Sequence, residues 1–127
     1  MLDVVIVSTD ESKQCSVPTA WRATLSTIVA AFKDGDFRLE RGIEGVNVIS
    51  ADRATAIAHN IASCGLRLTD LPEESWQTSV CQWQRDYWDV LVDLFTIEEE
   101  ASDLSMLVRV HQANTGYVFD VVSVYVA

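Results

Sequence analysis

Basic residues are scarce in this chain. Nine Lys and Arg stand against nineteen Asp and Glu, a formal charge of −10 over 127 residues. Such an acidic field repels phosphate backbones, so nucleic acid is not an expected partner. Histidine is scarcer still: His59 and His111 stand far apart and neither opens an H-x3-H pair, so no metal site is expected. Cys15, Cys64 and Cys81 are an odd set without paired spacing. With no secretory signal in view, they read as free thiols of a reducing compartment. No apolar run reaches the roughly 18 to 20 residues of a membrane span. Asp3 stands where a signal peptide would carry a base, and the apolar run after it is short. The expectation is a soluble, cytoplasmic protein. Also missing are a Gly-rich phosphate loop, a G-x-S-x-G elbow and an H-E-x-x-H helix, so no cofactor and no catalytic residue is assigned.

What is present suits one globular domain. Hydrophobic residues make up 49% of the chain, too many for a disordered one. A chain of this length buries roughly two-thirds of its unfolded surface. Nearly all the acidic excess sits in residues 70–103, where ten acids meet a single base, Arg85. That charge either keeps a small acidic protein in solution or attracts a basic partner.

Residues 2–7 are rich in β-branched side chains and read as a short strand. Residues 9–17 read as a loop. Trp21, Leu25, Ile28 and Phe32 share one face of a helix over residues 19–33, with Gly35 as its stop. Phe37 and Leu39 alternate with Arg38 and Glu40, which suggests a short edge strand or an extended arm, and residues 46–49 read as another. A second helix covers residues 51–64. Ser50 caps it, Ala54, Ile57, Ala58 and Ile61 form its stripe, and Gly65 ends it. Residues 66–69 read as extended, and residues 70–75 as a turn or one helical turn.

The remaining segments alternate with period two. Residues 78–84 are a candidate strand. In the next, Trp88, Val90, Val92 and Leu94 form a wholly apolar face, while Tyr87, Asp89, Leu91, Asp93 and Phe95 form a mixed one. Leu104, Met106, Val108 and Val110 supply the matching apolar face after a polar connection that contains Glu98, Glu99 and Glu100. Bringing both apolar faces to one side requires opposed residue numbers to sum to an even value, near 198 or 200. That register sets Asp89 opposite Arg109 or His111. After a turn at residues 114–116, residues 117–126 are the last strand. Helices first and strands later point to α+β. The expected architecture is an antiparallel meander sheet of three to four strands with two helices packed on one face, over residues 1–127.

The mixed face and the acidic connection are the candidate partner-binding residues: Tyr87, Asp89, Leu91, Asp93, Phe95, Glu98, Glu99 and Glu100. Interleaved rings and acids suit recognition of a basic protein, with rings as anchors and acids for steering. The other reading is an outer sheet face covered by another segment of the chain. Asp89 and Asp93 lie roughly 13 Å apart by strand rise, too far for a shared-proton dyad or a glycosidase pair.

The pattern W-x-T-S-V-x-x-W at residues 76–83 is followed by Y-W-x-V-L-V-D-L-x-T-x-E-E-x-x-S-D-L at residues 87–104 and V-Y-V at residues 124–126. Together they resemble an uncharacterised bacterial domain family. Size, acidity and missing chemistry are also similar to immunity proteins of contact-dependent growth inhibition systems. That resemblance implies a protein that binds and blocks a cognate basic, nuclease-type toxin domain. Two other readings stay open: a small-ligand or enzymatic domain with a pocket near Trp21, Trp83 and Trp88, and an oligomerisation domain.

Overall fold

The computed structural model describes residues 7–114 and 116–126. The strand expected over residues 2–7 falls outside them, except for Val7, which belongs to no strand. In chain order come β1 (Cys15–Ser16), α1 (Thr19–Lys33), α2 (Ala51–Ser63), the single turn α3 (Ser75–Thr78), β2 (Val80–Trp83), β3 (Trp88–Thr96), β4 (Glu100–Ala113) and β5 (Gly116–Val126). The five strands form one antiparallel meander in the order β1-β2-β3-β4-β5. The fold is α+β, with one strand more than expected. The extra one is β1, from the stretch read as a loop.

The period-two pattern of β3 decides which side of the sheet is core. Trp88, Val90, Val92 and Leu94 point inward beside Met106, Val108 and Val110, and each is at most 3% exposed. β3 meets β4 in the expected register, with Trp88 opposite Val110 and Asp89 opposite Arg109. The register slips between Asp93 and Phe95, so that Phe95 faces Ala101.

The helices cover the inner face. The α1 stripe Trp21, Leu25, Ile28 and Phe32 is buried as its spacing requires. Trp21 meets Trp88, Tyr117 and Phe119 edge-on, at centroid distances of 5.5, 5.1 and 6.1 Å. Such pairs add to the burial of the rings themselves. The Trp21 indole N–H is buried without an oxygen or nitrogen partner, and the surrounding ring faces are the acceptors left to it. α1 stops where Gly35 adopts φ +87°. The Gly35 N–H bonds to the Phe32 carbonyl and the Asp36 N–H to that of Ala31, the paired bonds of a Schellman end. α2 is capped by the Ser50 hydroxyl, which accepts from the Arg53 N–H.

Residues 36–45 do not form the expected edge strand. The Asp36 carboxylate accepts the backbone N–H groups of Glu40 and Arg41 and the Arg41 Nε. Those bonds close successive turns in place of a strand, and Leu39 is driven to φ +59°. Burial pushes the Asp36 carboxyl up, but the two N–H donors and the guanidinium outweigh it and hold the group below its ordinary range. Of residues 46–49, Val46 alone bridges to the sheet, parallel to Phe119. Gly45 accepts the Phe119 N–H and Asn47 donates to the Phe119 carbonyl.

These bonds belong to a device that closes the edge of β5. Arg53 donates to the Val121 carbonyl at 3.1 Å and Asn60 to the Val124 carbonyl at 2.8 Å. The two donors lie two turns apart on α2, so both face the edge. An edge capped in this way offers little for another chain to pair with. Replacing Asn60 by Ala should cost about 1 kcal/mol in urea unfolding, as for one lost hydrogen bond. The exposed Thr55→Ala change should cost far less, and equal losses would contradict the capping role.

Candidate functional site

The outer face of the sheet divides into two unlike halves. Near the β2–β3 turn Asp89 and Tyr87 are engaged by Arg109 of the same chain. Asp89 Oδ1 lies 3.5 Å from Arg109 Nε, across the strand pair. The Arg109 guanidinium also sits over the Tyr87 ring, 4.7 Å from its centroid, and His111 packs beside that ring at 5.7 Å. On the other side Arg109 faces Asp120, whose carboxylate is 3.9 Å from Arg53. Leu91 is half-buried between Val80 and Leu107. Asp89 and Tyr87 are therefore already occupied by Arg109.

The other half is organised by Asp93. Both its backbone groups are taken by serine hydroxyls: Ser75 Oγ donates to the Asp93 carbonyl at 2.6 Å, and the Asp93 N–H donates to Ser79 Oγ at 3.0 Å. Ser75 and Ser79 are buried, four residues apart, with their hydroxyls 3.2 Å from each other. They replace the ladder bonds that a longer β2 would supply, so the chain turns through α3 here. Trp76, buried beneath the Arg22 guanidinium, anchors the same turn.

Fixing α3 against Asp93 leaves a surface groove between this turn and the β3–β4 hairpin. Its volume is about 500 Å³, and its walls are Glu74, Gln77, Thr78, Asp93, Phe95, Ala101, Ser102, Asp103 and Ser105. A smaller recess of about 230 Å³ shares Glu74 and Phe95 and adds Glu100. No basic residue lines either one. Glu74, Asp93, Glu100 and Asp103 form no ion pair among the described residues. Nor do three carboxylates, thiols or imidazoles gather closely enough to hold a metal ion among those residues. The negative charge is spread along the groove rather than focused on a point.

The eight residues singled out from the sequence are thus divided. Asp93, Phe95 and Glu100 belong to the groove or its recess. Tyr87, Asp89 and Leu91 lie at the neutralised end. Glu99 is exposed on the hairpin, its N–H bonded to Thr96 Oγ1. Glu98 is held by Arg67, accepting the backbone N–H at 2.8 Å and Nε at 2.7 Å. Sequence reasoning missed Glu74, Gln77 and Asp103. Nothing in residues 70–78 shows that this turn folds across β3, and the one signal there was Ser75 and Ser79 at helical spacing. Asp103 faces outward by the alternation of β4.

A family comparison adds the evolutionary setting. The description "domain of unknown function (DUF7668)" matches residues 29–127. The chain belongs to the DUF7668 family. No curated protein and no solved structure matches it. The DUF7668 match includes α2, α3 and strands β2 to β5, and with them the whole groove. No helix among the described residues is long and apolar enough to cross a membrane.

The Arg67 bonds hold the Glu98 carboxyl below its ordinary range, the backbone N–H contributing most and the guanidinium next. A depressed folded-state value means that this stabilisation is present above the unfolded value and is lost as pH falls through the folded one. A carboxyl NMR titration should place Glu98 below the ordinary glutamate range, and Arg67→Ala should raise it part of the way, since the guanidinium is lost and the backbone N–H remains. An unchanged Glu98 midpoint in that variant would reject the assignment.

Proposed function

We propose that this DUF7668 domain is a non-catalytic binding protein whose partner is a basic protein, and that it acts as an immunity protein by occluding a cognate toxin domain of nuclease type. The observation that supports this reading is the groove between α3 and the hairpin. Unpaired carboxylates line its walls, no base compensates them, and Phe95 offers an apolar anchor between them. Outside the groove Asp89, Asp120 and Glu98 are matched by Arg109, Arg53 and Arg67.

The spread of the carboxylates favours several Lys or Arg side chains of one partner over a single bound cation. Unpaired charge around an apolar centre steers the encounter, while the ring and the walls hold the complex. Contact at this position would mask a basic surface on the partner and keep it from a phosphate backbone. A second surface cavity, of about 400 Å³, lies beside Trp21, with Glu44, Tyr117 and Phe119 among its walls, and only Glu44 there carries a negative charge. Trp88 packs against both Trp21 and Trp83, at centroid distances of 5.5 and 4.5 Å.

Pull-down and stopped-flow association with any basic domain encoded beside this gene test the proposal. Reversing Glu74, Asp93 and Asp103 to Lys should slow association at low salt by roughly ten-fold or more. Asp89→Asn should change it little, since Arg109 already takes that charge. Failure of the wild-type protein to bind any such domain would reject the immunity role. Binding that survives the reversals but is lost with Asp89→Asn would move the contact to the other half of the face.

A further inference from the structure

We propose that Cys15 and Cys81 are a redox pair that closes to an intramolecular disulfide when the protein meets a hydroperoxide. All three cysteines are free thiols. Cys15 and Cys81 are direct partners across the antiparallel β1–β2 pair. The phase of the ladder says what kind of partners. The Gln84 N–H donates to the Tyr87 carbonyl at 2.7 Å, so alternate residues Gln84, Gln82 and Val80 exchange bonds with β3. Cys81 therefore turns its backbone toward β1, and with Cys15 it forms a hydrogen-bonded pair. Cα atoms at such a pair lie about 5.5 Å apart, within the usual span of a disulfide; closing the bond draws the Cβ atoms in from the wider spacing of a hydrogen-bonded pair and releases the Cys81 thiol from the Ser16 carbonyl, 3.7 Å away.

The two side chains also share one opening. A surface cavity of about 450 Å³ is lined by both cysteines, with Val7, Ser8, Pro18 and Ala20 among its other walls. Cys15 is half-buried and Cys81 only 2% exposed. Burial, and next the neighbouring Cys15, push the Cys81 thiol up to about 11. Cys15 is thus the thiol that meets the oxidant, and Cys81 the one that resolves it. Cys64 is not part of the cavity; it sits at the end of α2, its thiol directed to the Asn60 carbonyl.

In the first step the Cys15 thiolate attacks a peroxide oxygen. An S–O bond forms, the O–O bond breaks, and the leaving oxygen takes a proton to depart as water or an alcohol. In the second step the Cys81 sulfur, giving up its proton, attacks the Cys15 sulfenic acid. The S–S bond forms, the S–O bond breaks, and hydroxide leaves as water with that proton. Two thiols lose two electrons in all, and one hydroperoxide gains them. A dithiol reverses the change by exchange. The bond would tie down β1, a strand of only two residues. This inference does not depend on the partner proposed above.

The test is oxidation of the reduced full-length chain with hydrogen peroxide, blocking with N-ethylmaleimide, and peptide mapping by mass spectrometry. The expected result is loss of two hydrogens, a Cys15–Cys81 cross-linked peptide, Cys64 fully alkylated, and reversal by dithiothreitol. Cys15→Ser should abolish the cross-link and Cys64→Ser should leave it intact. Cross-links through Cys64, disulfide-linked dimers, or Cys15 oxidised to sulfinic acid with Cys81 still alkylated after unfolding would overturn it. So would equal yields in the folded chain and in urea, because the fold would then not be what brings the two thiols together.

Discussion

The pairing of β3 with β4 is the constraint on which this structure depends. Along β3 every second residue is apolar without exception from Trp88 to Leu94. β4 answers with Met106, Val108 and Val110. A slip of one residue would carry Asp89 and Asp93 into the space that Trp21, Leu25 and Ile28 now fill, at the cost of burying two carboxylates. Register, the inner face and the seat of both long helices thus follow from one alternation. So does the outer face, since whatever is not core on these strands must look the other way.

Where that pairing gives out, the candidate surface begins. The regular ladder ends at Asp93, its backbone is completed by Ser75 and Ser79, and the strand pair resumes past the bulge at Phe95. On the other side of β3, a β2 ladder continued from Leu91 to Asp93 would have put a strand where α3 now stands. The substitution of two hydroxyls for a strand lets α3 stand beside the hairpin and make a concave wall. Binding grooves on sheets often come from such interruptions, where a bulge re-aims side chains.

Much of this was legible in the order of residues, for reasons that differ by element. α1 was readable to its ends because Trp21, Leu25, Ile28 and Phe32 keep one face and Gly35 supplies the only conformation that stops it there. The Asp89–Arg109 pair followed from register alone. Residues 36–45 were misread because an Asp side chain that captures three N–H donors outcompetes a weak alternation. β1 was hidden, since two residues carry no periodicity. The resemblance to an uncharacterised family, read over residues 21–126 and densest over 76–104, meets a domain of unknown function matched over residues 29–127, while the proposed immunity role rests on charge and geometry. The groove was half visible. Asp93, Phe95 and Glu100 lay in the marked segment, and Asp103 faces outward by the alternation of β4, but Glu74 reaches the site only through a tertiary contact that no local pattern encodes.

The same tertiary contact sharpens the meaning of the acidic excess. Residues 70–103 carry ten acids, yet three of them, Asp70, Asp89 and Glu98, are engaged by Lys33, Arg109 and Arg67. The charge left for a partner is concentrated where α3 approaches the hairpin. The most direct test is a backbone NMR titration of this domain with the basic partner proposed for it, mapped residue by residue. Shifts centred on Glu74, Asp93, Phe95 and Asp103, with Tyr87 and Asp89 little moved, are what the account predicts. Shifts centred on Tyr87, Asp89 and His111, or scattered over the helices, would contradict it.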